Sequence, residues 1–234
     1  MSGNAVVITA ANSKGGCGKS TTIIILAGEY AAQGYRVHVI DADPSKRLIR
    51  WAQAGVKPDT ITVSEATAAN IRDEIERARD VAEVVLIDVE GSANAALTLA
   101  VAFANLVIVP ATISPPDVED GLGTIKLVRD MAHASRRDIP HGFLWSNVPP
   151  AIRSREMINL EAQVAQAKIP VISRVFQRSA FAAVFSFATT IDHLPPQEVA
   201  GIDKAKGDAV RLTDAIDAML NPQAEPTVNH EAAA

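Results

Sequence analysis

Residues 13–22, Ser-Lys-Gly-Gly-Cys-Gly-Lys-Ser-Thr-Thr, place three glycines and a Lys-Ser pair between a short apolar run and a long stretch whose only Gly or Pro is Gly28. The run before them, residues 5–11, has the composition of a strand, and the stretch from Lys19 to about Gln33 suits a helix. The glycines therefore sit at a strand-to-helix turn. Lacking Cβ atoms, Gly15, Gly16 and Gly18 let the backbone curl its N–H groups toward one point, where the helix adds the positive end of its dipole. This is a cradle for phosphate. In it Lys19 reaches β- and γ-phosphates, the Ser20 hydroxyl suits Mg2+, a hard ion that prefers oxygen, and Thr21 supports them at the α-phosphate. Cys17, in the variable position, reads as a small side chain that fits. Its place beside a helix N-terminus and Lys19 also leaves a reactive thiol open.

Compared with G-x-x-x-x-G-K-[ST], the chain has Ser13 at the first glycine and an additional Lys14 before the glycine pair, giving K-G-G-x-G-K-[ST]. Two more strand ends carry carboxylates: Asp41 and Asp43 close the run 37–43, and Asp88 follows the apolar residues 84–87. Carboxylates at strand C-termini fall on the edge where a doubly wound sheet binds ligands.

The loop resembles that of the deviant Walker A ATPases, and the likeness extends over nearly the whole chain. Residues 37–44, VHVIDADP, resemble the second-strand segment (switch I) of the ParA partition ATPases, and 84–91, VVLIDVEG, their Walker B strand running into switch II. Residues 106–112, with Ser114-Pro115 after them, look like the next strand and loop of the small plasmid-type members. The chain is most like the short ParA/ParF type without an N-terminal helix-turn-helix domain. At residues 90–93, Glu-Gly-Ser-Ala stands where many relatives have small or proline residues after the Walker B aspartate. The resemblance implies an ATPase binding ATP through Lys14, Gly15, Gly16, Cys17, Gly18, Lys19, Ser20 and Thr21. Mg2+ would be held by Ser20, Asp43 and Asp88. Lys14, Lys19 and Asp43 would be the catalytic residues, Asp43 orienting the attacking water. It also implies an ATP-bound homodimer in which Lys14 touches the partner's nucleotide, and slow hydrolysis stimulated by a ParB-type adaptor. Dethiobiotin synthetase and cobyrinate amidases share the fold and a related loop, but Lys14 and the lack of an evident small-substrate constellation disfavour a metabolic enzyme.

A chain of 234 residues, 48% hydrophobic, fits one domain, placed at 1–220, with a tail over 221–234 that lacks large apolar residues and is expected to be disordered. Strands at about 5–11, 36–43, 84–89, 106–112, 142–147 and 171–175 alternate with helices at about 67–82, 93–104, 117–135, 153–168, 178–188 and 204–220. That is the pattern of an α/β fold, a doubly wound and mostly parallel sheet with helices on both faces. Arg72 with Glu76 and Asp73 with Arg77 have i,i+4 spacing on the first of these helices. No run reaches the length of a membrane span, no signal core is present, and the tail has no apolar face of the kind MinD-type proteins use at membranes, so a cytoplasmic protein without membrane attachment is expected. The single cysteine excludes a disulfide framework within the chain. The five histidines lack ligand spacing, and Trp51 and Trp145 read as packing residues.

The net charge of −5 conceals a gradient: residues 121–211 hold 12 Lys and Arg against 8 Asp and Glu. The excess falls on Arg136, Arg137, Arg153, Arg155, Lys168, Arg174, Arg178, Lys204, Lys206 and Arg211. No base-reading module accompanies it, so contact with DNA is expected to be sequence-independent and to phosphates. The expected contacts are Arg153, Arg155 and Arg178, each at the start of a helix, with affinity arising in the ATP-bound dimer and the protein then associated with the nucleoid.

Overall fold

The computed structural model describes residues 5–90, 95–150 and 154–222. Seven strands form one sheet: β1 (Val6–Ala10), β2 (Val37–Ala42), β3 (Ile61–Glu65), β4 (Val84–Val89), β5 (Leu106–Ala111), β6 (His141–Val148) and β7 (Val171–Phe176). Their order is β3-β2-β4-β1-β5-β6-β7 and every pairing is parallel. Eight helices connect and flank them: α1 (Lys19–Ala32), α2 (Arg47–Ala54), α3 (Ile71–Val81), α4 (Ala95–Phe103), α5 (Pro115–Ser135), α6 (Arg155–Gln166), α7 (Ser179–Ser186) and α8 (Ile202–Leu220).

The strands β2, β4 and β5 are buried at every residue, as expected where helices cover both faces of a parallel sheet. Side-chain alternation divides the core in two. Val85, Ile87 and Val107 pack with α3, α4, α5 and α6, whereas Ile8, Val39 and Leu86 pack with α1, α2, α7 and α8. The chain leaves β1 toward β2 on one side and later passes from β4 to β5 on the other, so the strand order reverses around β1 and β4. The crevice beyond their C-terminal ends is where such sheets take ligands.

Two elements fall outside the expected alternation. Helix α2 has only eight residues, and β3 is an edge strand with one buried residue, Ile61. Neither carries the long apolar period that marks the others. Helix α3 starts at Ile71, not near 67, because the Asn70 side chain accepts hydrogen bonds from the Thr67 amide (2.7 Å) and hydroxyl (2.9 Å) and holds a turn before it. Helix α5 starts earlier than expected, at Pro115, since proline is favoured where an N–H has no helical partner. Arg72 pairs with Glu76 at 3.4 Å, but Arg77 pairs with Glu74 one turn back and not with Asp73.

Helix α2 is fixed against α7. The Trp51 indole N–H donates to the carbonyls of Val184 (2.9 Å) and Thr189 (3.3 Å), and Gly55, just past α2, lies against Ala188. A Cβ on Gly55 would meet the Ala188 carbonyl oxygen at 2.0 Å. Gly55→Ala is therefore expected to destabilise the fold by ~1–3 kcal/mol, the range for overpacking. Urea unfolding reads this as a lower midpoint at constant slope; an unchanged midpoint would mean the seam is looser than described.

Candidate functional site

The loop after β1 takes the form its glycines allow. Gly16 (φ 82°) and Gly18 (φ 99°) adopt left-handed backbone, and Gly18 forms the N-terminal boundary of α1. No acidic side chain and no side-chain cap occupies the first turn of α1, so its amides and dipole remain directed at the cradle. The loop is held from below. The Ser146 hydroxyl, at the end of β6, donates to the Cys17 carbonyl at 2.6 Å, and a Cβ on Gly18 would crowd the Ser146 Cβ at 3.1 Å.

Lys19 and Lys14 have opposite environments. Lys19 is 7% exposed, and its ammonium donates to the carbonyls of Asn12 (3.0 Å) and Lys14 (2.8 Å), closing the loop on itself. Lys14 is exposed, and its amide is fixed by the Asn12 side-chain oxygen at 3.0 Å. Asn12 is fully buried and also donates to the carbonyls of Pro110 (2.7 Å) and Asp117 (3.3 Å), which connects the loop to β5 and to α5. The sequence reading did not single out Asn12 or Ser146. Neither belongs to the glycine pattern, and their roles arise from contacts about 100 residues or more away in sequence.

Ser20 meets Asp88 across the β1–β4 junction: its hydroxyl donates to Asp88 Oδ2 at 2.6 Å. Asp88 is fully buried and its Oδ1 has no hydrogen-bond partner. Burial pushes its carboxyl up to about 7 despite the Ser20 hydrogen bond, and the nearby charges of Asp41 and Asp43 add to the rise. An orphaned carboxylate oxygen beside a hydroxyl at a phosphate cradle fits Mg2+, which takes few protein oxygens and completes its shell with phosphate and water. Among the described residues no cluster of three His, Cys, Asp or Glu could hold a metal by itself.

The two switch I carboxylates have separate tasks. Asp41 is buried and accepts from the amides of Leu48 (2.8 Å) and Ile49 (3.0 Å), so it caps α2. Asp43 is half-buried and accepts the Ser45 amide at 2.8 Å, leaving the carboxylate at the cradle's edge. Cys17 is fully buried, its thiol directed at the Lys14 carbonyl at 3.3 Å, and burial pushes its pKa above the usual thiol value. That argues against a reactive thiolate. Gly91, Ser92 and Ala93 of the switch II segment lie outside the described residues.

From the cradle a cavity of about 930 Å³ continues over the sheet edge. Its floor carries Thr21 and Ser146, with Asn147 and Gln177 at the ends of β6 and β7, and its walls include Trp51, Phe181 and Phe185. Asn147 and Gln177 were likewise not singled out in the sequence; an amide after a strand has no pattern of its own.

The basic half divides on inspection. Arg178 is not an open phosphate contact: it forms a bidentate pair with the fully buried Asp208 (2.5 and 3.1 Å), is 17% exposed and lies over the Phe176 ring. Arg211 joins the same carboxylate, Arg174 pairs with Glu161 and Lys206 with Asp192. Arg155 remains exposed at the start of α6, whose first turn Ser154 caps by accepting the Met157 amide at 3.1 Å. Arg153 lies outside the described residues.

Because the folded pKa of Asp88 is raised, the folded state holds the proton more tightly than the unfolded chain. The ionised carboxylate thus lowers stability as pH rises from about 4 to about 7, and the loss is complete above that window. Asp88→Asn removes this dependence. In urea unfolding without nucleotide or Mg2+, the variant should gain on the wild type between about pH 5 and pH 8, by a few kcal/mol at ~1.4 kcal/mol per pKa unit. Parallel pH profiles would contradict the buried, half-satisfied carboxylate.

Comparison with known proteins agrees with this geometry. A profile of the VirC1 protein family matches residues 5–220. Protein ParA of Rhizobium radiobacter is 32% identical over 219 residues, covering 90% of this chain and 99% of that protein. Among solved structures, the ATP complex of McdA from Cyanothece superposes with a TM-score of 0.75 at 12% identity, covering 92% of this chain and 97% of that one. MinD with Mg-ADP from Pyrococcus horikoshii gives 0.70 at 14%, covering 94% and 99%. At such identities the structures speak for the fold. With the family profile, the ParA relative and the loop geometry together, the chain belongs to the VirC1 family of ParA/MinD-type deviant Walker A ATPases.

Proposed function

We propose that this chain is a Mg-ATP-dependent dimerising switch that binds DNA without sequence preference when ATP-bound and is released by hydrolysis, acting in DNA segregation or cargo positioning in the cytoplasm. One observation carries the reading: of the two lysines in the loop, Lys19 is buried inside the cradle and Lys14 is exposed on its rim with its backbone fixed by Asn12. A cradle needs the first lysine only. The second is available to a group outside this chain, and the nucleotide of a second copy is the anion that the fold would present there.

ATP would place its phosphates against the loop amides and Lys19, with Mg2+ between Ser20, Asp88 and the phosphates. The ion would neutralise charge that Asp88 otherwise carries at a buried position. Asp43 at the rim would orient the attacking water, and the cavity beyond Thr21 would take the nucleoside. No arginine from the described switch segments faces the cradle, so turnover is slow until a partner, an adaptor of ParB type, supplies help. Nucleotide state then sets assembly, and assembly sets the positive field.

DNA contact falls to exposed cations: Arg155, with Arg153 two residues before it in the sequence, and Arg136, Lys168 and Lys204, which are exposed and form no ion pair among the described residues. Arg155 also stands next to the N-terminal amides of α6, a suitable place for a phosphate.

The site residues separate in three assays. Lys19→Ala should abolish binding of a fluorescent ATP analogue, Lys14→Ala should retain it, and Asp43→Ala should retain it while turnover falls at least tenfold, ~1.4 kcal/mol in barrier. Normal turnover in Asp43→Ala would remove Asp43 from the mechanism. In anisotropy with random duplex DNA, affinity should require ATP and fall with salt, and Arg155→Ala should flatten the salt slope by roughly one unit per phosphate lost. Absence of ATP-dependent DNA affinity at low salt would turn the reading toward a switch acting on protein alone.

A further inference from the structure

The cavity that continues from the cradle is bounded on its far side by α2, and there it carries two arginines, Arg47 and Arg50. They are separated by one turn and share that face with Trp51. Among the described residues no Asp or Glu lines this cavity, and the charge of its third arginine, Arg178, is neutralised by Asp208. Arg47 and Arg50 are exposed to the cavity mouth and form no ion pair among the described residues. The Arg47 guanidinium lies over the Phe185 ring of α7, 5.9 Å from its centre, in an exposed side chain that lines the cavity. The wall beneath is rigid, because Trp51 and Gly55 lock α2 to α7.

We propose that Arg47 and Arg50 grip the nucleoside end of the bound nucleotide, laying planar guanidinium groups against the base and hydrogen-bonding the sugar, so that α2 determines nucleotide affinity together with the phosphate loop. The inference rests on reading the cavity as the nucleotide site. A guanidinium already placed over one aromatic ring stacks a second flat ring on its free face at little ordering cost. The amides of Asn147 and Gln177, across the cavity, can each donate and accept at a base edge. The contact also has a mechanical consequence. Asp41 caps α2, and Asp43 sits between that aspartate and Arg47, so a nucleoside held by α2 fixes the segment that carries Asp43.

Calorimetric titration of ATP and of inorganic tripolyphosphate into wild type, Arg47→Ala/Arg50→Ala and Arg47→Lys/Arg50→Lys tests this. ATP affinity should fall at least about tenfold in the alanine pair, the scale of one or two guanidinium–ring contacts, while tripolyphosphate binding stays within about twofold because the loop is untouched. The lysine pair, which keeps the charge but not the plane, should lose most of the same affinity. Unchanged ATP affinity in the alanine pair, equal weakening toward ATP and tripolyphosphate, or full rescue by lysine would each overturn the proposal. A wild type that binds tripolyphosphate but gains nothing from the nucleoside would overturn it too. A wild type that binds neither would instead remove the nucleotide reading on which it rests.

Discussion

A buried carboxylate with one partner too few organises this molecule. Asp88 has the Ser20 hydroxyl on one oxygen and nothing on the other, at a position with no access to solvent. Leaving a buried acceptor unmet costs about 1–3 kcal/mol, more when the group is charged. The fold sustains it because β4 lies directly beside β1, with Ala10 in register with Asp88, so an aspartate near the C-terminal end of β4 faces the first turn of the helix that follows β1. That arrangement lies at the crevice created by the reversal of strand order around β1 and β4, where sheets of this kind take ligands.

The cradle is tied to three other parts of the structure through single contacts. Asn12 joins it to the start of α5, Ser146 joins it to the end of β6, and Asp41 joins the switch I strand to α2. Each is buried or nearly so, where a hydrogen bond is stronger and its loss more costly than in water. A ligand that shifts the loop by a fraction of an ångström therefore acts on α5, on β6 and, through the cavity, on α2. Packed interfaces of this kind move between discrete arrangements and do not deform gradually, the behaviour that the proposed nucleotide switch requires.

Much of this was legible in the chain because parallel strands covered on both faces appear as continuous apolar runs and because glycine spacing in a phosphate loop leaves few alternatives. The edge of the sheet was not. Ile61–Glu65 is polar at all but two positions, Ile61 and Val63, and α2 is too short to show a period. Of the two aspartates at the end of the second strand, composition could not tell which caps helix α2; only the amides of Leu48 and Ile49, brought back by the turn, identify it as Asp41. Arg178 has the appearance of a surface cation at a helix start, yet its carboxylate partner lies 30 residues further along, on α8. Arg47, Arg50, Asn147 and Gln177 converge on one cavity from three separate segments. Convergence is a property of the fold and leaves no trace in local sequence.

In the proposed switch, phosphate and Mg2+ in the cradle would set the assembly state through the exposed Lys14. Sedimentation velocity measures that most directly, on wild type with a non-hydrolysable ATP analogue plus Mg2+, with the same analogue plus EDTA, and with ADP plus Mg2+. A nucleotide-driven switch gives a dimer in the first sample and monomers in the other two. A monomer in all three, or a dimer indifferent to nucleotide and ion, would contradict it.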